Sequence, residues 1–248
     1  MNISKNIHTF IGCVSDYAES RIAIFGAPFD STTSYRPGAR FASSAMRNES
    51  YGIETYSPYQ DKDLLDAEIF DCGDLELCFG SPESALNDIE KMTENIISDG
   101  KLPIMIGGEH LVTLGAVRAA VKKYPDLRIV HFDAHADLRD DYLGQKLSHA
   151  CVMRRCHELL GDGKIFQFGI RSGDREEFLW GREHVYTNRF DFSGIERIKE
   201  KTGDRPVYFT LDLDVLDPSC FCGTGTPEAG GVSYNELIKA IEKVSELN

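Results

Sequence analysis

Six side chains that could bind metal ions are grouped in three short stretches of the 248-residue sequence. The stretches read GGEH at 107–110, HFDAHAD at 131–137 and TLDLDVLDP at 210–218. They supply two imidazoles and four carboxylates, namely His110, Asp133, His135, Asp137, Asp212 and Asp214. A single tetrahedral zinc ion needs only four ligands. Six ligands, mostly oxygen donors, therefore predict two divalent ions of the hard, oxygen-preferring kind, and we expect two Mn²⁺ per chain.

Each stretch follows a run of apolar and β-branched residues that is typical of a buried parallel strand, namely PIMI, LRIVHF and PVYFTL. The carboxyl ends of parallel strands meet in a crevice at one edge of a sheet, where open α/β folds place their sites. Residues two apart in an extended chain point to the same side. The spacing therefore predicts that Asp133, His135 and Asp137 converge, and that Asp212 and Asp214 join them.

Strand-like runs alternate with helical patterns along the whole chain, at 21–27, 67–73, 103–108, 127–132, 164–170, 184–187 and 206–212. This alternation predicts a three-layer αβα fold with a mostly parallel sheet, and we expect residues 1–248 to form one domain. Ser81 and Pro82 predict the start of one intervening helix and Gly100 its end, and a second helix is expected to end before Pro125.

Composition limits the classes of partner. The formal net charge of −13 argues against nucleic acids and anionic membranes and favours a cationic small molecule. No run of 18 apolar residues occurs, and the amino-terminal stretch lacks a signal-peptide core, so we expect a cytoplasmic protein. The seven cysteines form no C-x-x-C pair and are expected to be reduced thiols.

The motifs resemble those of the ureohydrolases, the arginase and agmatinase superfamily, which read GGxH, DAHxD and DxDxxDP. The resemblance extends from GAPFDSTTSYRPGARFASSAMR (26–47) through FDCGDL and SHA to GTGTPEAGG (223–231), and the RPGAR and CGDL segments are more similar to agmatinases than to arginases. It implies that the six residues named above hold two Mn²⁺. It also implies a homo-oligomer, either a trimer or a hexamer.

The resemblance also implies a reaction on a small cationic guanidino substrate. A hydroxide shared by the two manganese ions would attack the guanidinium carbon, and the tetrahedral intermediate would collapse to urea and an amine. Asp137 would relay a proton to the leaving amine, and His149 of SHA would act as a proton shuttle or substrate contact. Asp174 and Glu228 are expected in loops near the substrate.

The residues after Asp137 bear on the choice of substrate. The stretch 138–150, LRDDYLGQKLSHA, lacks the Asn, Ser and Gly pattern with which arginases hold an α-amino acid head. Agmatine, hydrolysed to putrescine and urea, is therefore the expected substrate. Guanidinobutyrate, whose carboxylate Arg139 or Arg171 could accept, as well as arginine and formiminoglutamate, remain alternatives.

One departure from the family pattern concerns the end of the sequence. In the family a later strand ends in a motif whose Glu pairs with the guanidinium, whereas this sequence ends at Asn248, directly after a helical pattern. We therefore expect a truncated chain of the same fold. Two other classes stay open, a related metal-dependent amide deacetylase that uses one zinc ion and a non-catalytic relative.

Overall fold

The computed structural model describes residues 8–248. The amino-terminal stretch that was judged to lack a signal-peptide core begins before residue 8, so its first part lies outside the described residues. The chain forms two compact units. Of the described residues, the first unit contains residues 8–31 together with Pro37–Ala119, and the second contains Thr32–Arg36 and Ala120–Asn248. Among residues 8–248, no helix combines the length and the apolar character needed to cross a membrane.

The first unit is built on a parallel sheet of three strands, in the order β4-β1-β5. The strands are β1 (Ile22–Ala27), β4 (Ile69–Asp74) and β5 (Leu102–Gly107), and a short antiparallel pair consists of β2 (Tyr56–Ser57) and β3 (Lys62–Asp63). Its helices are α1 (Ala42–Ser50), α2 (Pro82–Ser98) and α3 (Val112–Lys123), the last of which ends in the second unit.

The end of β5 requires glycine because another loop of the same unit passes against it. The amide of Gly108 donates to the carbonyl of Ala27, at 2.9 Å, and the amide of Glu109 donates to that of Phe29, at 2.7 Å. A Cβ at Gly108 would collide with the carbonyl oxygen of Phe29. The glycine in GGEH thus allows the backbone after β5 to pack on the backbone after β1.

The second unit is built on a parallel sheet of four strands in the order β8-β7-β6-β9. The strands are β6 (Arg128–Phe132), β7 (Ile165–Ile170), β8 (Tyr186–Arg189) and β9 (Val207–Leu211). The helices are α4 (Val152–Leu160), α5 (Arg175–His184), α6 (Ile198–Thr202) and α7 (Tyr234–Val244). Aromatic rings fill its core, where Phe132 contacts Phe168, Phe192 and Phe209 at centroid distances of 5.9, 4.5 and 5.0 Å.

The order of this sheet makes β6 the point at which the topology switches direction. Chain order runs from β6 to β7 on one side, whereas β9 pairs on the other side, so the direction of strand addition reverses there. Ligands bind at such switch points, outside the carboxyl ends of the strands. Phe132 pairs with Leu211 in the register of β6 and β9, so the residues that follow the two strands begin at the same level.

All seven predicted strand-like runs contain strands, and the parallel pairing is confirmed. The run at 184–187 is shifted, because His184 still belongs to α5 and β8 begins at Tyr186. The start of α2 is also confirmed, since the side chain of Ser81 accepts from the amide of Ser84, at 3.2 Å. The β2–β3 pair was not predicted because two-residue strands leave no periodic pattern.

Candidate metal centre and active site

The candidate centre is built on two adjacent strand ends of the second unit. Asp133 directly follows β6, and Asp212 directly follows β9. The amide of Asp212 donates to the carbonyl of Phe132, at 2.8 Å, and the amide of Asp133 donates to that of Phe168, at 3.2 Å. The sheet hydrogen bonds thus continue as far as these two aspartates and fix their backbones.

Three of the predicted ligands lie together. Nδ1 of His135 lies 3.0 Å from Oδ2 of Asp214 and 3.5 Å from Oδ1 of Asp133. Asp133, His135 and Asp214 each offer one ligand atom, and these atoms lie within 4.8 Å of one another. Asp133 and Asp214 are almost fully buried, so their carboxylates are held in one place by the protein.

Backbone amides orient two of these carboxylates. The amide of His135 donates to Oδ1 of Asp133, at 2.6 Å, and the amide of Ala134 donates to Oδ1 of Asp214, at 3.1 Å. Asp212 accepts from the amide of Asp214, at 3.0 Å, and thereby caps the short 3₁₀ turn Leu213–Val215. The D-x-D spacing therefore places the second aspartate on a turn that begins at the first.

Asp137 joins the same group by an unusual backbone conformation. Its φ of 55° is in the left-handed region, which is uncommon for residues other than glycine, and its side chain is buried. Its carbonyl accepts from the amides of Met153 and Arg154 in the first turn of α4, at 3.0 and 3.2 Å. Asp133 and Asp137 each offer an oxygen, and the two lie within 4.8 Å. Asp133 therefore lies close enough to share a metal ion with His135 and Asp214, and also close enough to share one with Asp137.

The electrostatics of the group favour a bound cation. Burial, together with the negative charges of Asp212 and Asp133, raises the pKa of Asp214 well above its usual range. Burial opposes a charge on His135, but its hydrogen bonds to Asp133 and Asp214 outweigh that effect and raise its pKa to about 12. The carboxylates therefore repel one another and attract positive charge, and a divalent cation would relieve that repulsion.

Glu228 lies at the edge of this group. Its Oε1 accepts from the hydroxyl of Ser172, at 2.9 Å, and lies 3.6 Å from Nε2 of His135. The Glu228 side chain is 41% exposed, so its charge faces both the buried carboxylates and solvent. The carboxylate thus adds a negative charge at the exposed edge of the group.

His149 is held by the segment 32–36 of the same unit. Its amide donates to the hydroxyl of Thr32, at 3.1 Å, and its ring nitrogens lie 3.4 Å from that hydroxyl and 3.3 Å from the hydroxyl of Ser34. The ring also contacts Tyr142 edge to face, at 5.8 Å. The structure thus gives this histidine a defined orientation.

Asp174 has a structural role that sequence reasoning missed. It is the N-cap of α5 and forms a capping box with Glu177, in which each side chain accepts from the other residue's amide, at 2.9 and 2.8 Å. Arg139 pairs with both carboxylates, each at 3.3 Å. The D-x-x-E spacing of DREE is the signal that predicts such a box. Contact between Asp174 and substrate stays a prediction.

Arg171 is a second residue whose role the sequence did not indicate. Its guanidinium donates to the carbonyls of Asp214, Val215 and Glu228, at 2.6, 3.1 and 2.9 Å. It also donates to the carbonyl of Ala229, at 3.2 Å. One side chain thus connects the turn that carries Asp214 to the loop that carries Glu228.

His110 belongs to the first unit. It lies three residues after the end of β5, beyond the two glycines whose tight packing against the loop after β1 was described above. The predicted position of this ligand at the carboxyl end of a strand is confirmed. Its role as a metal ligand stays a prediction.

Comparisons with known proteins agree with this arrangement. A family model described as the arginase family matches residues 20–248. The agmatinase of Bacillus subtilis (strain 168) is 46% identical over 245 residues, covering 96% of this chain and 84% of that protein. The crystal structure of a candidate agmatinase from Clostridium difficile superposes with a TM-score of 0.91 at 51% identity, covering 94% of this chain and 85% of that one.

The agmatine ureohydrolase of Thermoplasma volcanium has a TM-score of 0.87 at 38% identity, covering 96% of this chain and 82% of that one. These likenesses confirm the resemblance inferred from the motifs and the predicted αβα fold with its parallel strands. The chain belongs to the arginase family, as an agmatinase-like ureohydrolase.

Proposed function

We propose that the protein hydrolyses agmatine to putrescine and urea with the help of two Mn²⁺. The observation that carries the proposal is the convergence of Asp133, His135 and Asp214 at the ends of β6 and β9, in a chain 46% identical to an agmatinase. The identity covers most of both chains and supports hydrolysis of a guanidino compound as the general reaction.

The residues present suit two hard divalent ions. Carboxylate oxygens dominate the group, the remaining donors are imidazoles, and both suit manganese. Burial, together with the negative charges of Asp212 and Asp133, raises the pKa of Asp214, and a bound cation would favour the ionised carboxylate. The proposed ligands are Asp133, His135, Asp137, Asp212 and Asp214, with His110 as the sixth on the motif that it shares with the family.

Two such ions, when bound, lower the pKa of a water molecule so that hydroxide is available at neutral pH. The protein's own groups then handle the substrate and the protons. We infer that the carboxylate of Asp137, whose backbone carbonyl is held by the first turn of α4, accepts the proton of the attacking hydroxide and passes it to the leaving amine. His149, oriented by Thr32 and Ser34, is the second group that we propose to carry a proton.

Recognition of the substrate rests on negative charge. The Glu228 carboxylate, fixed by Ser172, would attract the positive guanidinium or the distal ammonium of agmatine. Asp174 is the further proposed contact, with a side chain 41% exposed beside Arg139.

The surroundings of two arginines favour a substrate without a carboxylate. The guanidinium of Arg171 donates to backbone carbonyls of the loops around the site. Arg139 is paired with Asp174 and Glu177. Both candidate partners for the carboxylate of guanidinobutyrate therefore already serve the fold. This supports agmatine over guanidinobutyrate and arginine.

A substrate panel tests the proposal. The Mn²⁺-loaded protein should be assayed for urea release from agmatine, arginine and 4-guanidinobutyrate, and for ammonia or formamide release from formiminoglutamate. We expect kcat/KM for agmatine to exceed each of the others by at least about tenfold, a difference of about 1.4 kcal/mol in transition-state binding. An equal or higher value for arginine would overturn the choice of substrate.

The oligomeric state follows from the family resemblance alone. We infer a homo-oligomer of three or six chains. Sedimentation velocity would test this inference, and a monomer at micromolar concentration would contradict it.

A further inference from the structure

A second group of candidate metal ligands lies in the second unit, and the proposed reaction does not use it. His157 is in α4, Asp162 follows that helix, and His184 is the last residue of α5. Each offers one ligand atom, and these atoms lie within 4.8 Å of one another. The two helices bring together residues that are 27 positions apart at most, without a recognisable motif spacing.

The three side chains converge on one oxygen. Nε2 of His157 lies 2.7 Å from Oδ1 of Asp162, and Nδ1 of His184 lies 2.6 Å from the same atom. Because a carboxylate only accepts, both ring nitrogens carry the protons that face it. An ion at this position would replace those two protons and bind both nitrogens and the carboxylate.

The backbone holds Asp162 between the two helices. The amide of Gly161 donates to the carbonyl of His157, at 2.7 Å, and the amide of Gly163 donates to that of His184, at 2.9 Å. Both glycines have positive φ, 86° and 68°, which other residues rarely adopt. The link is therefore fixed at both ends, and little backbone movement is needed for the three ligands to close on an ion.

The group is accessible and has the chemistry of borderline transition ions. The side chain of Asp162 is 66% exposed, and those of the two histidines are 16% and 27% exposed. Hydrogen bonds from His157 and His184 lower the pKa of Asp162, so the carboxylate is ionised at neutral pH. Two imidazoles and one carboxylate suit Zn²⁺, Ni²⁺ and Cu²⁺, in contrast to the oxygen-rich centre at β6 and β9.

We propose that His157, Asp162 and His184 form a binding site for one borderline divalent transition ion, separate from the manganese centre, that joins the end of α4 to the end of α5. Water would complete the coordination, since three protein ligands leave at least one position open. The ion has a structural role and takes no part in guanidine hydrolysis.

Trp180 provides a local signal for this site. It is the only tryptophan of the chain. Its ring stacks on His184 with centroids 4.2 Å apart and an interplanar angle of 21°, and it contacts His157 edge to face at 4.7 Å. The guanidinium of Arg154 lies 3.7 Å from the same ring. An open-shell ion bound by either histidine would lie close to the fluorophore, because both imidazole rings pack against it, and would quench its emission.

The test is a titration of the Mn²⁺-loaded full chain with NiCl₂, followed by tryptophan emission. We expect saturable quenching with one Ni²⁺ per chain, and prior addition of ZnCl₂ should prevent it. Asp162→Asn and His184→Gln should each raise the Ni²⁺ concentration at half-maximal quenching by at least about tenfold. Even the loss of an outer hydrogen-bond partner of a metal ligand lowers metal affinity by that factor. His8→Gln, which removes an exposed histidine of the first unit, is the matched control and should leave the midpoint unchanged.

A second variant separates the two sites. Asp133→Asn disturbs the manganese centre and should leave the Ni²⁺ midpoint unchanged. Quenching abolished by Asp133→Asn but retained in Asp162→Asn would overturn the proposal, as would the absence of quenching in the wild-type chain. If His184→Gln fails to fold, anomalous diffraction from Zn²⁺-soaked wild-type crystals decides. A peak among the three side chains is expected, and its absence at an otherwise ordered site would contradict the proposal.

Discussion

Nε2 of His131 lies 2.8 Å from Oδ2 of Asp133, and both side chains are buried from solvent. The other ring nitrogen lies 3.0 Å from Nε2 of Gln167, which also donates to the carbonyl of Ala136, at 2.7 Å. Thr187 donates to the amide oxygen of Gln167, at 3.0 Å, and so fixes the amide orientation. Gln167 is therefore the donor to His131, and His131 the donor to Asp133. This chain of hydrogen bonds binds Oδ2 of Asp133 and leaves Oδ1 facing His135.

The first prediction concerns this hydrogen-bond chain. His131→Leu should lower the Mn²⁺ affinity by about 10- to 100-fold, because the outer partners of metal ligands fix ligand orientation. Gln167→Leu should act in the same direction with a smaller effect. Electron paramagnetic resonance of free Mn²⁺ during a titration measures the affinity. Val130→Ala, in the same strand, is the control, since it removes core volume without touching Asp133, and an unchanged affinity in His131→Leu would refute the assigned role.

The second prediction concerns metal content. Asp133→Ala or Asp212→Ala should empty at least one of the two proposed ion positions, because Asp133 lies within reach of both His135 and Asp137. Elemental analysis after dialysis should give two manganese ions per wild-type chain and at most one in either variant. Removal of the metal should also lower the melting temperature of the wild-type chain, because an ion that binds only the folded state stabilises it. Asp126→Asn, at an exposed ion-pair cluster, should retain both ions, and full occupancy in Asp133→Ala would count against the ligand assignment.

The third prediction concerns the Arg171 guanidinium. Arg171→Met leaves the carbonyls of Asp214 and Glu228 without their donor, whereas the carbonyl of Val215 still accepts from the amide of Val232. The free energy of unfolding should fall by about 2–4 kcal/mol, because each buried acceptor left without a partner costs about 1–3 kcal/mol. Arg171→Lys should not restore it, since an ammonium cannot span the same set of carbonyls. Thermal unfolding followed by circular dichroism provides the measurement. A melting temperature equal to that of the wild type would show that the hydrogen bonds of Arg171 do not stabilise these loops.

The fourth prediction concerns Glu228. Glu228→Gln keeps the size of the side chain and removes the charge near His135. KM for agmatine should rise by about tenfold, whereas kcat should change less, because the charge acts mainly on binding of the cation. Glu246→Gln removes one charge from an exposed ion pair with Lys243 and should leave both constants unchanged. A fall in kcat at constant KM would instead place Glu228 in the chemical step.

The fifth prediction concerns the thiols. All seven cysteines lie within the described residues, and none of them forms a disulfide bond. Burial raises the pKa of Cys151 to about 12, so its thiol stays protonated at pH 8 and should react slowly. Cys78, Cys220 and Cys222 are exposed and should react first. Peptide mass mapping after brief iodoacetamide treatment checks the order, and labelling of Cys151 as fast as Cys220 would show that the unit opens readily.

The sequence was informative where chemistry and local pattern coincide. The strands that end at Gly107, Phe132 and Leu211 were predicted from short apolar runs, and the convergence of Asp133, His135 and Asp214 followed from parallel strands and two-residue spacing. These inferences needed only local periodicity and one rule about parallel sheets.

Other features depend on contacts between distant segments and leave no local signal. Arg171 contacts carbonyls more than 40 positions away, and nothing in GIRSGD marks those partners. Likewise, His131 was identifiable as part of a strand, but its contact with Gln167 depends on the register of β6 with β7. The capping role of Asp174, by contrast, was predictable from the D-x-x-E spacing of Asp174 and Glu177.

The most direct test of the account is product formation by the protein loaded with Mn²⁺. Incubation with agmatine should release urea and putrescine in equal amounts, measured together by mass spectrometry against isotope-labelled standards. Dialysis against a chelator should abolish both products, and added MnCl₂ should restore them. Absence of urea from the metal-loaded protein, or urea release that persists after complete removal of metal, would contradict metal-dependent guanidine hydrolysis.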